Sequence, residues 1–199
     1  MNKITGTIIT LNAEKYILRA IESLKNISDE IIVLDSKSTD STRDIAKSAG
    51  AKVYTQEFLG DGLQKKEASN FASNSWIFSL DADEYLDQDL IDFIKKTDLS
   101  SISYDSFAFR RKNYCADEWI KAAGFYPDYV TRLYDKSRVN YDSRADHAAV
   151  TSENTLKTNC HIVHTTYESM AEWVDKMNFR SSMSARQPVS YTHLRAHET

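Results

Sequence analysis

One stretch of the chain concentrates carboxylates directly after an apolar run: Leu80-Asp81-Ala82-Asp83-Glu84. In extended backbone, residues two apart point to the same side, so Asp81 and Asp83 are expected to converge. Two carboxylates about 4 Å apart repel by roughly 4 kcal/mol at an effective dielectric of 20, and Glu84 adds to that charge. A hard divalent cation, Mg²⁺ or Mn²⁺, would relieve the repulsion and could bridge the phosphates of a diphosphate leaving group. Asp81 and Asp83 are therefore the expected metal ligands. The plainer alternative is a solvated acidic turn, because short acidic motifs are common by chance. A second carboxylate, Asp35, also ends an apolar run and leads into Ser36-Lys37-Ser38-Thr39-Asp40. At a strand end it could accept hydrogen bonds from a nucleobase or a ribose hydroxyl, whereas Asp40 suits a helix cap.

The elements that must position these groups alternate through the first hundred residues. Residues 4–11 are β-branched and apolar, a buried strand. Asn12 is placed to cap a helix whose Ile17, Ala20, Ile21 and Leu24 share one face. Residues 30–34 form a second strand ending at Asp35. Ser41-Thr42-Arg43-Asp44 has capping-box spacing and opens a helix that stops at Gly50. Strands at 52–55 and 76–80, a turn at Gly60-Asp61-Gly62, and helices at 63–72 and 89–95 complete the pattern. This βαβαβ order predicts an α/β fold with a mostly parallel sheet flanked by helices. Ligands of such sheets sit beyond the carboxyl ends of the strands, where Asn12, Asp35 and Asp81 to Glu84 are delivered. After about residue 100 the pattern changes to aromatic strands at 107–112 and 129–134, an aromatic loop at 114–126, and helical spacing at 170–184 carrying Met170, Trp173, Val174 and Met177.

Composition narrows the partners. The 199 residues hold 25 Lys plus Arg against 29 Asp plus Glu, a net charge of −4. A nucleic-acid binder needs a basic footprint, so nucleic acid is not an expected partner. Cys115 and Cys160 fit neither a metal spacing nor a disulfide framework, and a reducing, cytoplasmic setting is expected. The N-terminus lacks the apolar run of a signal peptide. One domain is expected over 1–187, with a nucleotide-sugar half (1–100) and an acceptor half (101–187). Residues 188–199 read as a non-native or disordered tail, similar to translated sequencing adapter, so the natural C-terminus is expected to be missing.

Taken together, Ile8-Ile9-Thr10-Leu11-Asn12, Asp35-Ser36 with Ser38-Thr39-Asp40, and Leu80-Asp81-Ala82-Asp83-Glu84 resemble glycosyltransferase family 2. The resemblance is greatest to the branch that extends the lipopolysaccharide inner core. It is carried further by Gly60-Asp61-Gly62-Leu63-Gln64-Lys65, by Trp119-Ile120 with Gly124-Phe125-Tyr126-Pro127-Asp128 through Arg132-Leu133, and by His164-Thr165-Thr166-Tyr167. It implies a GT-A fold and an inverting, metal-dependent hexosyltransferase. The implied partners are a nucleotide-diphosphate sugar, UDP-sugar first, and a glycan or glycolipid acceptor, with peripheral contact at the inner face of the membrane. It implies that Thr10, Asn12, Asp35, Gln64, Lys65, Asp81 and Arg132 line the donor site, with Asp81 and Asp83 on the metal. Lys65 as a solvated helix charge, and Arg132 as a cross-strand partner of Asp128, remain open beside those roles.

One departure bears on mechanism. The branch carries Val-His-Glu after its Arg-Leu block, and here Ala145-Asp146-His147-Ala148 puts alanine at the glutamate position. An inverting transferase needs a base at the acceptor hydroxyl, so Asp128 is expected first in that role, with Asp146 and His147 as alternatives. Tyr114, Trp119, Phe125 and Tyr126 are expected to wall the sugar site. The rival readings are a catalytically impaired scaffold that only binds sugar nucleotide, motivated by Ala148, and a nucleotidyltransferase. The second predicts a Gly- and Arg-rich loop after the first strand, which Ile9-Thr10-Leu11-Asn12-Ala13-Glu14 does not provide.

Overall fold

The architecture is that of a computed structural model, which describes residues 3–122, 124–142, 148–167, 169–175 and 178. Strand β1 (Ile4–Thr10) lies between β2 (Glu30–Asp35) and β4 (Trp76–Asp81), and β3 (Lys52–Thr55) borders β2. These four strands are mutually parallel. Helices α1 (Ile17–Leu24), α2 (Thr42–Ser48) and α3 (Asp61–Asn70) make the crossovers between them. The sheet continues from β4 through β8 (Asp128–Asp135), β6 (Ser106–Cys115) and β9 (Thr155–Tyr167) to β5 (Glu84–Leu86), and the short β7 (Glu118–Trp119) hangs on β6. Here antiparallel pairs enter, β4 with β8 and β6 with β8, while β6 and β9 run parallel. The result is the α/β, GT-A-like fold: a mixed sheet flanked by helices, parallel at one end.

The core follows from the pattern of the sequence. Ile17, Ala20, Ile21 and Leu24 of α1 are fully buried against Ile4, Ile8 and Val33. Each such aliphatic side chain stabilises by about 1.5–3 kcal/mol when withdrawn from water. Gly6 lets α1 approach β1 closely, since a Cβ there would stand 3.0 Å from Leu24 Cδ1 and 3.1 Å from Ser28 Oγ. Phe78 of β4 meets Phe109 of β6 at 5.7 Å, and Phe93 of α4 (Gln88–Lys96) meets Phe107 at 6.1 Å. One aromatic layer thus runs under both halves of the sheet.

Several local expectations are revised. Asn12 does not cap α1. Its φ is 50°, in the left-handed region that Asn tolerates, and the helix begins after Tyr16. Ser41 makes no side-chain cap bond. Instead Asp40 accepts from the Thr42 N–H at 3.0 Å, and Glu14 from the Ser41 N–H at 3.0 Å. Gly60-Asp61-Gly62 is not a free turn, because Gly60 (φ 94°) opens α3 at Asp61. The 13-residue β9 has no counterpart in the sequence reading. Its segment, TLKTNCHIVHTTY, mixes polar and apolar residues without clean alternation, and it pairs along its edges with β6 and β5. Residues 170–175 are helical, with Met170 and Val174 exposed and Trp173 turned in against Phe125 and Tyr167. Met177 and the tail at 188–199 lie outside the described residues.

Candidate active site

A cavity of about 1220 Å³ opens at the carboxyl ends of β1 and β4. Thr10 and Leu11 follow from β1, Ser36 from β2, and Asp81 and Asp83 from β4. The far wall is one face of the β8–β6–β9 ribbon. Period-two alternation puts Asp128, Val130 and Arg132, then Arg111 and Asn113, then His164 and Thr166 on it.

The acidic motif sits at that cavity in an unexpected form. The strand ends at Asp81 and the chain turns at Ala82 and Asp83 before β5, so the extended-backbone argument does not apply across it. The charge of Asp81 is met from within the chain: Lys65 Nζ is 2.9 Å from Oδ1, and Arg132 donates to Oδ2. Burial would push the Asp81 carboxyl up, yet Arg132 and Lys65 together hold it well below the usual carboxylate range. Lys65 and Arg132 are themselves 5% exposed. Burial opposes their charge, and Asp81 more than restores it, raising both above their ordinary values. Lys65 is therefore no solvated helix charge. Arg132 pairs with Asp81 and with fully buried Glu84 at 2.6 Å, not with Asp128. Glu84 also receives Arg111 at 3.2 Å, and Arg111 clasps Asp128 Oδ2 at 2.8 Å. Repulsion between carboxylates is thus not what would call in a metal ion at Asp81.

The better cation ligands are Asp83 and a residue given no role from the sequence, His164. Asp83 Oδ2 lies 3.4 Å from His164 Nε2, at the cavity wall. Two ligand atoms at about 2.1 Å from one ion stand roughly 3 Å apart, so this pair fits a divalent cation. A nitrogen donor argues against Mg²⁺, which takes oxygen ligands, and for Mn²⁺. The sequence did carry a signal for His164, in the His164-Thr165-Thr166-Tyr167 motif, but nothing there tied it to Asp83. Another carboxylate–imidazole group, Asp87, Asp89 and His161, lies away from the cavity. Lys112 holds Asp87 at 2.6 Å, and His161 Nδ1 stands 2.6 Å from Asp89 Oδ2.

The remaining expected residues divide. Thr10, Lys65, Asp81, Asp83, Asp128 and Arg132 line the cavity, and Asn12, Asp35 and Gln64 do not. Asp35 is fully buried and accepts from the Ser38 N–H at 2.9 Å and from the Ser38 hydroxyl. Asn12 accepts from the Thr39 N–H at 2.8 Å. Gln64 accepts from Gln56 and from the Leu59 N–H and donates to Ser36 at 3.1 Å, fastening two loops together. Asp128 Oδ2 is taken by Arg111 and, at 3.1 Å, by Asn113, while Oδ1 has no hydrogen bond among the described residues. Asp146 and His147 lie outside the described residues; Ala148 is on the cavity wall. Of the expected aromatic wall only Phe125 lines the cavity, joined by Tyr129, Tyr141 and Tyr167. Trp119 and Tyr126 instead pack on each other at 5.1 Å and on His161. Three buried polar atoms of lining residues, Thr10 Oγ1, Arg132 Nε and Tyr141 Oη, have no partner among the described residues.

Known proteins share these features. Residues 7–157 match the family model described as glycosyl transferase family 2. A glycosyltransferase of Rickettsia typhi is 37% identical over 95% of this chain and 69% of its own length. The lipopolysaccharide core biosynthesis glycosyltransferase LpsC of Rhizobium meliloti is 29% identical over 94% of this chain and 72% of its own. The crystal structure of S. aureus TarS in complex with UDP superposes with a TM-score of 0.63 at 16% identity, over 83% of this chain and 61% of that one. The chain therefore spans about three fifths of that structure. No described helix is long and apolar enough to cross a membrane. With its nucleotide-binding order of strands, its acidic strand end and a match over residues 7–157, the chain belongs to glycosyltransferase family 2.

Proposed function

We propose that the protein is an inverting transferase that moves a hexose from a nucleotide-diphosphate sugar, UDP-sugar first, to a lipopolysaccharide-core or other cell-surface glycan. The observation that carries this reading is the placing of Lys65, Arg132, Asp83, His164 and Asp128 around one cavity at the strand ends. Lys65 and Arg132, poised by Asp81, present positive charge to the diphosphate. Asp83 and His164 would hold the divalent cation, Mn²⁺ before Mg²⁺, which when bound neutralises charge on the leaving diphosphate. Asp128 Oδ1 takes the proton of the acceptor hydroxyl. The hydroxyl oxygen attacks the anomeric carbon, and the bond to the diphosphate breaks with its electron pair leaving on the phosphate. Phe125 and Tyr167 offer aromatic surface to the sugars. Leu11 and Phe58, each 56% exposed at the cavity lining, suit the apolar part of a glycolipid held at a membrane surface.

Purified protein is to be assayed with UDP-sugars, Mn²⁺ and core oligosaccharide, beside Asp83→Ala and Asp128→Asn. Each variant should lose about 100-fold or more in kcat; full activity in both would remove the mechanism. The competing reading, a scaffold that binds donor without turnover, draws on Ala148, which lines the cavity at the position where the lipopolysaccharide-core branch that the sequence resembles carries glutamate. Donor binding by calorimetry with no transfer and no donor hydrolysis would favour it.

A further inference from the structure

Asn113 joins the two ends of the proposed site, and this inference rests on that reading. It stands near the end of β6, is 3% exposed, and pairs in register with His164 of β9. Its Nδ2 donates to Asp128 Oδ2 at 3.1 Å and to the Phe125 carbonyl at 3.2 Å. Its Oδ1 faces His164 Nδ1 at 2.8 Å, with the Thr166 hydroxyl 3.4 Å away. The orientation of this amide is fixed by chemistry. Turned over, its oxygen would oppose a carboxylate and a carbonyl, acceptor against acceptor. Nδ1 also lies 3.1 Å from the Thr166 hydroxyl, which can donate or accept, but the nearer amide oxygen at 2.8 Å can only accept, so His164 Nδ1 carries the hydrogen. In the neutral ring Nε2 then bears the lone pair, directed at the Asp83 edge. The same amide anchors Asp128 through Oδ2 and leaves Oδ1 for the acceptor.

We propose that Asn113 is a positioning residue: it locks His164 in the Nδ1–H tautomer that presents a cation ligand beside Asp83, and it sets the Asp128 carboxylate that serves as base. One side chain thereby couples the geometry of the leaving-group end to that of the acceptor end. A partner that fixes the tautomer of a metal-binding imidazole commonly contributes 10–100-fold in metal affinity.

The test begins with the metal-free wild-type protein. Long-range ¹H–¹⁵N NMR at about pH 8, above the usual imidazole range, should show His164 with its proton on Nδ1. A proton mainly on Nε2 overturns the proposal whatever the enzyme's activity. Two variants separate the two roles. Asn113→Leu removes both contacts; it should mix the tautomers and weaken Mn²⁺ binding, followed by electron paramagnetic resonance without donor, by about 10-fold or more. Asn113→Asp keeps an acceptor for Nδ1 but places a negative charge against Asp128. It should hold the tautomer and the Mn²⁺ affinity within about threefold of wild type, while kcat falls about 100-fold at little change in donor KM. Unchanged tautomer and Mn²⁺ affinity in Asn113→Leu overturns the proposal, as does equal loss of Mn²⁺ affinity in both variants. If wild type shows the Nδ1–H tautomer but binds no Mn²⁺, the metal reading of Asp83 and His164 fails and takes the proposed coupling with it. Absence of transfer alone, with Mn²⁺ bound and the tautomer as stated, counts only against the proposed donor or acceptor.

Discussion

At the scale of single residues, Arg132 is the most constrained group of the site. It is 5% exposed and bridges Asp81, which faces the cavity, to Glu84, which is fully buried and has no water to turn to. Breaking a buried ion pair by removing one partner leaves an uncompensated charge. Arg132→Met is expected to destabilise the fold by about 3–5 kcal/mol, measured by urea unfolding. A loss below about 1 kcal/mol would mean that Lys65 and Arg111 suffice for both carboxylates. Lys65→Met should be milder for stability, because Asp81 retains Arg132. Its main effect is expected on donor affinity, about tenfold for one lost charge-assisted contact, measured by calorimetry with UDP.

Among the elements, the edge where β1, β2 and β3 begin is held by Glu30. Its carboxylate accepts from Thr5 Oγ1 at 2.8 Å, from the Ser73 N–H at 2.8 Å and from Lys52 at 2.6 Å. Burial acts to raise its pKa, but Lys52 and the hydrogen bonds from Ser73 and Thr5 outweigh it and bring the pKa of Glu30 down to about 2. A carboxyl depressed on folding stabilises the native state above its unfolded value and loses that contribution as pH falls through its folded value. The window for Glu30 therefore runs from its ordinary value of 4.5 down to about 2. Glu30→Gln should cost about 2 kcal/mol at neutral pH, and the difference from wild type should shrink across that window in acid unfolding. A constant difference from neutral pH down to about pH 2 would show that the carboxylate charge is not what links the strands.

For the whole molecule, a ligand that binds only the folded state raises stability by RT ln(1 + [L]/Kd). UDP with Mn²⁺ should therefore raise the melting temperature, by several degrees at 100-fold excess over Kd, where the gain is about 2.7 kcal/mol. The shift from adding Mn²⁺ should vanish in Asp83→Ala while that from UDP alone remains. A shift equal in both proteins would separate Asp83 from the cation. The sheet makes this a global readout, since β4 carries Asp81 at its end and pairs with β8, which carries Asp128 and Arg132.

The sequence by itself determined the local elements of the parallel half, because burial on both faces leaves long β-branched runs and the 3.6-residue period of α1 leaves four apolar positions on one side. It also placed Asp81, Asp83, Lys65, Asp128 and Arg132 at issue, through motifs that survive as words in the chain. Which charge meets which was decided only by tertiary structure. Arg132 and Asp81 are joined across β8 and β4, 51 residues apart, and Asn113 reaches His164 across 51. Such pairings depend on strand register, and register depends on the packing of the whole sheet rather than on any short window of sequence.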